Sequence, residues 1–254
     1  MKTPNETGMN RTGIKTSPID SRATEAGAEE GEPTSIGGES LMAAVRLELA
    51  QQADAVGSMP PPASLKGVAK SAMTVLKGES PTLLLNLLGE RLAFERTGVR
   101  LYEAVIDKLP AFAADGGSAG PTVADLRAIQ EDELRHVDVV RRAIETLGGD
   151  PTAMTPAADL GGVSMSGVLQ VACDPRAQLA DSLHALLTAE LVDNDGWELL
   201  IQLARGLGQE EIAQSFAQAR DQEHLHLVRI RAWVMSQVMR EAGVEESATL
   251  PAAT

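Results

Sequence analysis

A single cysteine, Cys173, stands in 254 residues, which excludes a disulfide framework, a four-cysteine zinc site and a rubredoxin-type iron centre. Aromatic side chains make up only 2% of the chain. Leu, Ala, Val, Ile and Met must therefore fill any core, a balance that favours helices over sheets. No apolar run reaches the roughly 20 residues a membrane helix needs, and the N-terminus lacks a signal-peptide apolar stretch. The expectation is a soluble, cytoplasmic protein with no membrane partner. Positive charge is short as well: 22 Lys and Arg stand against 36 Asp and Glu, a net charge of −14. Phosphates would be repelled by such a chain, so nucleic acid is excluded as a partner.

What is present is 43% hydrophobic residues, enough for a core, on a length that suits one domain with appendages or two small domains. Residues 1–38, rich in Thr, Ser, Gly, Glu and Pro, cannot bury enough apolar surface to offset their ordering entropy and read as a disordered tail, with Asn10 to Pro18 a possible docking motif for a partner. Residues 39–79 read as a short helical leader. Its first helix spans 40–57, capped by Ser40 and stopped by Gly57 and Pro60, and its second spans 64–77. From residue 80 to 243 the punctuation describes four long helices, followed by a C-terminal tail over 244–254. Ser80-Pro81 opens the first and Pro110 ends it. Thr122 with Asp125 forms a capping box for the second, which Gly148-Gly149 closes. Asp174-Pro175 opens the third, Gly206 and Gly208 close it, and the fourth runs from about 209 to Gly243. Short first and last connections make two antiparallel hairpins. The long connection over 149–173 must cross between them.

The apolar face of each helix, followed in steps of three and four, is broken in its middle. The four stripes read Leu88, Leu92, Glu95, Val99, Tyr102, Ile106; Leu126, Ile129, Glu133, His136, Val140, Ala143; Leu183, Leu186, Glu190, Asp193, Trp197, Ile201; and Ile212, Phe216, Ala219, Glu223, His226, Ile230. A buried ion costs several kcal/mol unless paired, and these stripes hold no matching set of Lys or Arg. Two divalent cations would neutralise four carboxylates, with two neutral imidazoles completing the donor set. Carboxylate oxygen plus imidazole suits iron or manganese. Asp181 before His184 and Asp221 before His224 share the acid-x-x-His spacing. They lie 100° or more off the stripe centres, which places those histidines at the surface or behind the ligands.

The duplicated pattern of a Glu followed on the next helix by Glu-x-x-His resembles the ferritin-like di-metal carboxylate superfamily, nearest its bacterioferritin and rubrerythrin branches, over residues 80–243. The resemblance implies an all-α, ferritin-like four-helix bundle with a long crossover, assembled as a homo-oligomer and holding two iron ions, or alternatively two manganese ions. It implies that Glu95 and His136 bind one metal and Glu190 and His226 the other, with Glu133 and Glu223 bridging. Tyr102 matches a tyrosine found two turns after the first ligand in these branches. Leaning towards its helix N-terminus, it would bring its hydroxyl to the metal ligands, as a hydrogen-bond partner or a catalytic electron donor. The chain departs from these branches in residues 1–79, in lacking four cysteines for a second iron centre, and in pairing Asp193 after Glu190 with Gly98 after Glu95. Asp193 would be a movable extra ligand or an acid behind the ligands.

The implied function is a di-iron oxidase, a ferroxidase or peroxide-reducing enzyme that takes Fe(II) and O2 or H2O2 in iron or oxidative-stress handling. Manganese-catalase-like disproportionation of peroxide is the enzymatic alternative. A partner-docking bundle with a purely structural metal site is the non-enzymatic one.

Overall fold

The computed structural model describes residues 22, 36–60, 81–115 and 120–244. The expected disordered tail, the second leader helix over 64–77 and the C-terminal tail lie outside the described residues, apart from positions 22, 36–38 and 244. Six α-helices and no strand occur among the described residues. Two units, Met1–Ala55 and Val56–Thr254, divide the chain.

The first unit contains α1, Ile36–Gln52. It begins ahead of the expected cap, so Ser40 lies inside the helix, and it stops short of Gly57. Gly37 and Gly38, poor helix formers, hide this start in the sequence.

The second unit holds α2 (Pro81–Lys108), α3 (Val123–Leu147), α4 (Pro156–Cys173), α5 (Leu179–Gly206) and α6 (Glu210–Glu241). Pro81 opens α2 as expected. Pro110 has no N–H to extend it, and a 3-10 segment, Leu109–Asp115, follows. The capping box of α3 is formed: the Thr122 N–H donates to Asp125 Oδ2 at 2.9 Å, and the Asp125 N–H to Thr122 Oγ1 at 3.1 Å. Gly148 closes the helix at φ 86°, in the left-handed region that favours glycine.

The long crossover expected from the sequence contains a helix of its own. Thr155-Pro156 starts α4 with the same cap-plus-proline signal as α2, but Gly161, Gly162 and Gly167 weaken its helical propensity. Docking on α2 compensates. The Thr155 hydroxyl donates to the Asn86 carbonyl at 2.9 Å, and Asn86 Oδ1 accepts the Ala157 N–H at 2.9 Å. Gly89 opposite is obligatory, because a Cβ there would lie 2.4 Å from Thr155 Oγ1. At the far end the Lys108 ammonium donates to the carbonyls of Ala172 and Asp174 at 3.0 and 2.9 Å. Thus α4 runs along the outside of α2 and carries the chain back down the bundle.

The expected start of α5 at Asp174-Pro175 is also corrected. Asp174 ends α4 and its carboxylate takes the Arg176 backbone N–H at 2.8 Å. The helix starts at Leu179 behind Gln178, whose N–H Asp181 accepts at 2.9 Å.

Two apolar clusters make the core. In one, Leu84 and Leu88 of α2 meet Ile144 and Leu147 of α3, Trp197 and Ile201 of α5, and Ile212 and Phe216 of α6. In the other, Tyr102 and Ile106 meet Leu126 and Ile129, Leu183 and Leu186, and Ile230 and Val234. The start of α2 packs with the end of α3, and the start of α6 with the end of α5, so both hairpins are antiparallel. A polar layer lies between the clusters, at the midpoint of all four helices.

Candidate metal centre

That layer is where the apolar stripes were broken. Glu95, Glu133, His136, Glu190, Glu223 and His226 are all buried, none more than 3% exposed. Glu95, His136 and Glu223 offer ligand atoms within 4.8 Å of one another, as do Glu133, Glu190, Glu223 and His226. A third set joins Asp193 to Glu95, Glu133 and Glu223. All six residues picked from the sequence thus converge. Glu223 belongs to every set, and Glu95 and Glu133 to two each. The other two histidines, His184 and His224, are exposed.

Both buried imidazoles turn Nδ1 inwards. His136 Nδ1 lies 2.5 Å from Glu223 Oε1 and 3.8 Å from Glu95 Oε2. His226 Nδ1 lies 3.1 Å from Glu223 Oε2, 3.7 Å from Glu133 Oε1 and 4.0 Å from Glu190 Oε2. Both oxygens of Glu95, His136 Nδ1, Glu190 Oε2 and Glu223 Oε1 have no hydrogen-bond partner. A buried acceptor left unpaired costs about 1–3 kcal/mol, more when charged. Five such atoms facing one another are compatible with a cation-binding donor set, and their oxygen and imidazole chemistry suits hard or borderline divalent metals.

Protonation is the alternative way to relieve that charge. Burial, followed by the charge of neighbouring acids, pushes the carboxyls of Glu95, Glu133, Glu190 and Glu223 well above the ordinary carboxylate range. Burial also lowers both imidazoles, which keeps them neutral and able to ligate.

One cation already sits in the layer, from Arg91, a position beside the apolar stripe rather than in it. Arg91 is 1% exposed and pairs closely with Asp193, while its Nη1 lies 3.5 Å from Glu95 Oε1. Burial opposes the guanidinium charge, but the surrounding acids, Asp193 first, then Glu95, Glu90 and Glu223, together outweigh it and raise its pKa. The guanidinium also lies over the Phe94 ring, 4.6 Å from its centroid. Gly196 makes room for it, since a Cβ there would come within 1.5 Å of Arg91 Nη2. Asp193 is therefore engaged by arginine, whose guanidinium also reaches Glu95. The sequence signal was position: Arg91 stands one turn before Glu95, on the same face. Gly98 has a comparable role, because a Cβ on it would lie 2.5 Å from Glu133 Oε2.

Tyr102 lies in the layer's edge, 1% exposed, and its hydroxyl donates to Glu190 Oε1. The partner is a ligand-type residue of α5 rather than Glu95 on the tyrosine's own helix. Burial and the Glu190 charge hold its phenol well above its ordinary pKa. Trp197 stands edge-on to His136, ring centroids 5.6 Å apart, with an unpartnered indole N–H. Asn194 ties the two helices of its hairpin at this level, donating to the carbonyls of Glu190 and Glu223 at 2.9 and 3.1 Å.

Sequence reasoning passed over two further residues. His136 Nε2 lies 3.0 Å from Gln222 Oε1, and His226 Nε2 lies 3.3 Å from Asp132 Oδ2. Each immediately precedes a Glu-x-x-His motif, on the opposite helix from the histidine it contacts.

A family model described as a ferritin-like domain matches residues 85–236, more than half of the chain. The match includes every residue of the polar layer. No curated protein and no solved structure matches the chain at a significant level.

Proposed function

The chain belongs to the ferritin-like family, and on that premise we propose that it is a di-metal oxidase, with two iron ions as its resident metals. The observation that carries this reading is the set of five buried, unpartnered oxygen and nitrogen atoms between α2, α3, α5 and α6. Glu95 and His136 would hold one metal and Glu190 and His226 the other, with Glu133 and Glu223 shared between them. A bound pair of redox metals would supply electrons to O2 or H2O2, with Fe(II) as the further substrate of a ferroxidase. The rest belongs to the protein. The two apolar clusters keep bulk water from the layer. Arg91 holds Asp193 and offsets its charge. Tyr102 keeps Glu190 oriented through its hydroxyl and places an oxidisable phenol against a ligand.

Iron and oxidative-stress handling by a cytoplasmic homo-oligomer is the setting we assign to this activity. Among the described residues no helix is long and apolar enough to cross a membrane.

Stopped-flow reaction of iron-loaded and manganese-loaded protein with O2 and with H2O2 tests the proposal. The oxidase consumes O2 or peroxide when given Fe(II), faster than free metal does. Oxygen release from peroxide by the manganese form alone would replace it with the catalase reading. Reaction no faster than free metal, in both forms, would leave a structural metal site.

A further inference from the structure

Behind the two buried histidines runs a second set of hydrogen bonds that crosses the bundle from α3 to α6. Asp132 Oδ2 faces His226 Nε2 at 3.3 Å, and Asp132 Oδ1 accepts from the Gln222 amide nitrogen at 2.9 Å. Gln222 Oε1 in turn faces His136 Nε2 at 3.0 Å. The directions of these bonds follow from chemistry alone. A carboxylate only accepts, so the Gln222 nitrogen must point at Asp132, and its carbonyl oxygen is left for His136. An oxygen acceptor on each Nε2 then requires that both rings carry their proton there. Both Nδ1 lone pairs are thereby turned towards the glutamates.

We propose that Asp132 is a single positioning residue for both metal positions: directly through His226, and through Gln222 for His136. This rests on the di-metal reading above. It goes beyond it in making the two positions unequal. The carboxylate on His226 makes that imidazole the stronger donor, whereas His136 is backed only by a neutral amide. Arg135 also pairs with Asp132, but its side chain is 58% exposed, so water screens its charge. The His226 position is the tighter of the two. An asparagine at 132 cannot serve both neighbours, because its nitrogen must face either Gln222 or His226. In the first case Gln222 turns over and reverses the proton on His136. In the second, His226 reverses.

The test uses the full chain and two readouts. Nitrogen-15 NMR of the four histidines in metal-free protein at neutral pH reads which ring nitrogen carries the proton. The expected result is an Nε2 proton on both His136 and His226, with one of them moved to Nδ1 in Asp132→Asn. Titration with Co(II), followed by absorbance and by the shifted ring N–H protons, reads the metal positions. Wild type should fill His226 first and His136 second, in two resolved steps. Gln222→Leu should weaken only the second step, by about 10–100-fold, the usual effect of removing such a partner. An Nδ1 proton on either ring in the wild type, or a Gln222→Leu isotherm identical to wild type, overturns the proposal while leaving the di-metal reading intact. Failure of wild-type protein to bind Co(II) at all overturns the di-metal reading itself. Should Asp132→Asn not fold, the wild-type spectrum and Gln222→Leu decide the matter alone.

Discussion

The hairpins α2–α3 and α5–α6 present one ligand pattern twice, Glu95 with Glu133 and His136, and Glu190 with Glu223 and His226, yet the positions around these ligands differ pair by pair. One turn before the first glutamate stands Arg91 in one hairpin and Leu186 in the other; three residues after it, Gly98 and Asp193; seven after it, Tyr102 and Trp197; and before the second glutamate, Asp132 and Gln222. Every difference is answered across the bundle. Arg91 pairs with Asp193, Tyr102 bonds Glu190, Trp197 packs on His136, and Asp132 bonds Gln222. The ligand frame is duplicated, while its surroundings are complementary. A symmetric frame suffices to hold two ions. The complementary surroundings would make two bound ions chemically distinct.

The largest expected effect separates the two glutamates proposed to bridge. Glu223 belongs to all three ligand sets, and Glu133, like Glu95, to two, so Glu223→Ala should lose both metals and Glu133→Ala should retain more. Metal analysis after loading with Mn(II) or Fe(II) and desalting measures this, and full loading of both variants would remove the bridging assignment. Next comes the buried ion pair. Arg91→Met leaves Asp193 uncompensated and should destabilise the metal-free protein by about 3–5 kcal/mol. Leu186→Met, the corresponding change in the other hairpin, conserves volume and should cost less than about 1.5 kcal/mol. Equal denaturant midpoints for the two variants would show that the hairpins do not differ in this way.

The third prediction concerns pH. The folded-state carboxyls of Glu95, Glu133, Glu190 and Glu223 lie above their ordinary value of 4.5. The folded metal-free protein therefore binds more protons than the unfolded chain as pH rises past that value, and it loses stability. His136 and His226, lowered from 6.5, act in the opposite sense and only up to that pH. The melting temperature of metal-free protein should fall as pH rises above about 4.5, and saturating metal should abolish that fall. A metal-free melting temperature that rises with pH throughout would contradict it. The smallest effect is expected for Tyr102→Phe, which removes one hydrogen bond to Glu190 at a cost of about 1 kcal/mol. Metal content should be retained and the rate of Fe(II)-dependent O2 consumption should drop. Trp197→Phe keeps an aromatic ring against His136, and its oxidation rate shows whether the effect belongs to the phenol or to any change beside a ligand.

The six residues of the polar layer were legible because burial and charge conflict: an acid or histidine in mid-stripe demands a partner, and the repeated spacing pairs the four helices with one another. The caps at Pro81 and Thr122 were legible because they act within three or four residues. α4 was not, since glycines dilute its helical signal and its stability comes from Asn86, Gly89 and Lys108 on another helix. Asp174-Pro175 misled for a related reason, a local start signal having been used to end α4 instead.

From the sequence alone came the four long helices, the register of their buried faces and the six residues that meet at mid-bundle, all consequences of periodicity and of short-range backbone chemistry. Only the tertiary structure decided that Arg91 neutralises Asp193, that Tyr102 reaches Glu190, and that Asp132 and Gln222 join the two histidines from behind. Those partners are separated by 102, 88 and between 86 and 94 residues. Their bonds depend on the rotation and height at which one helix meets another, which packing of the whole core sets and no local pattern encodes.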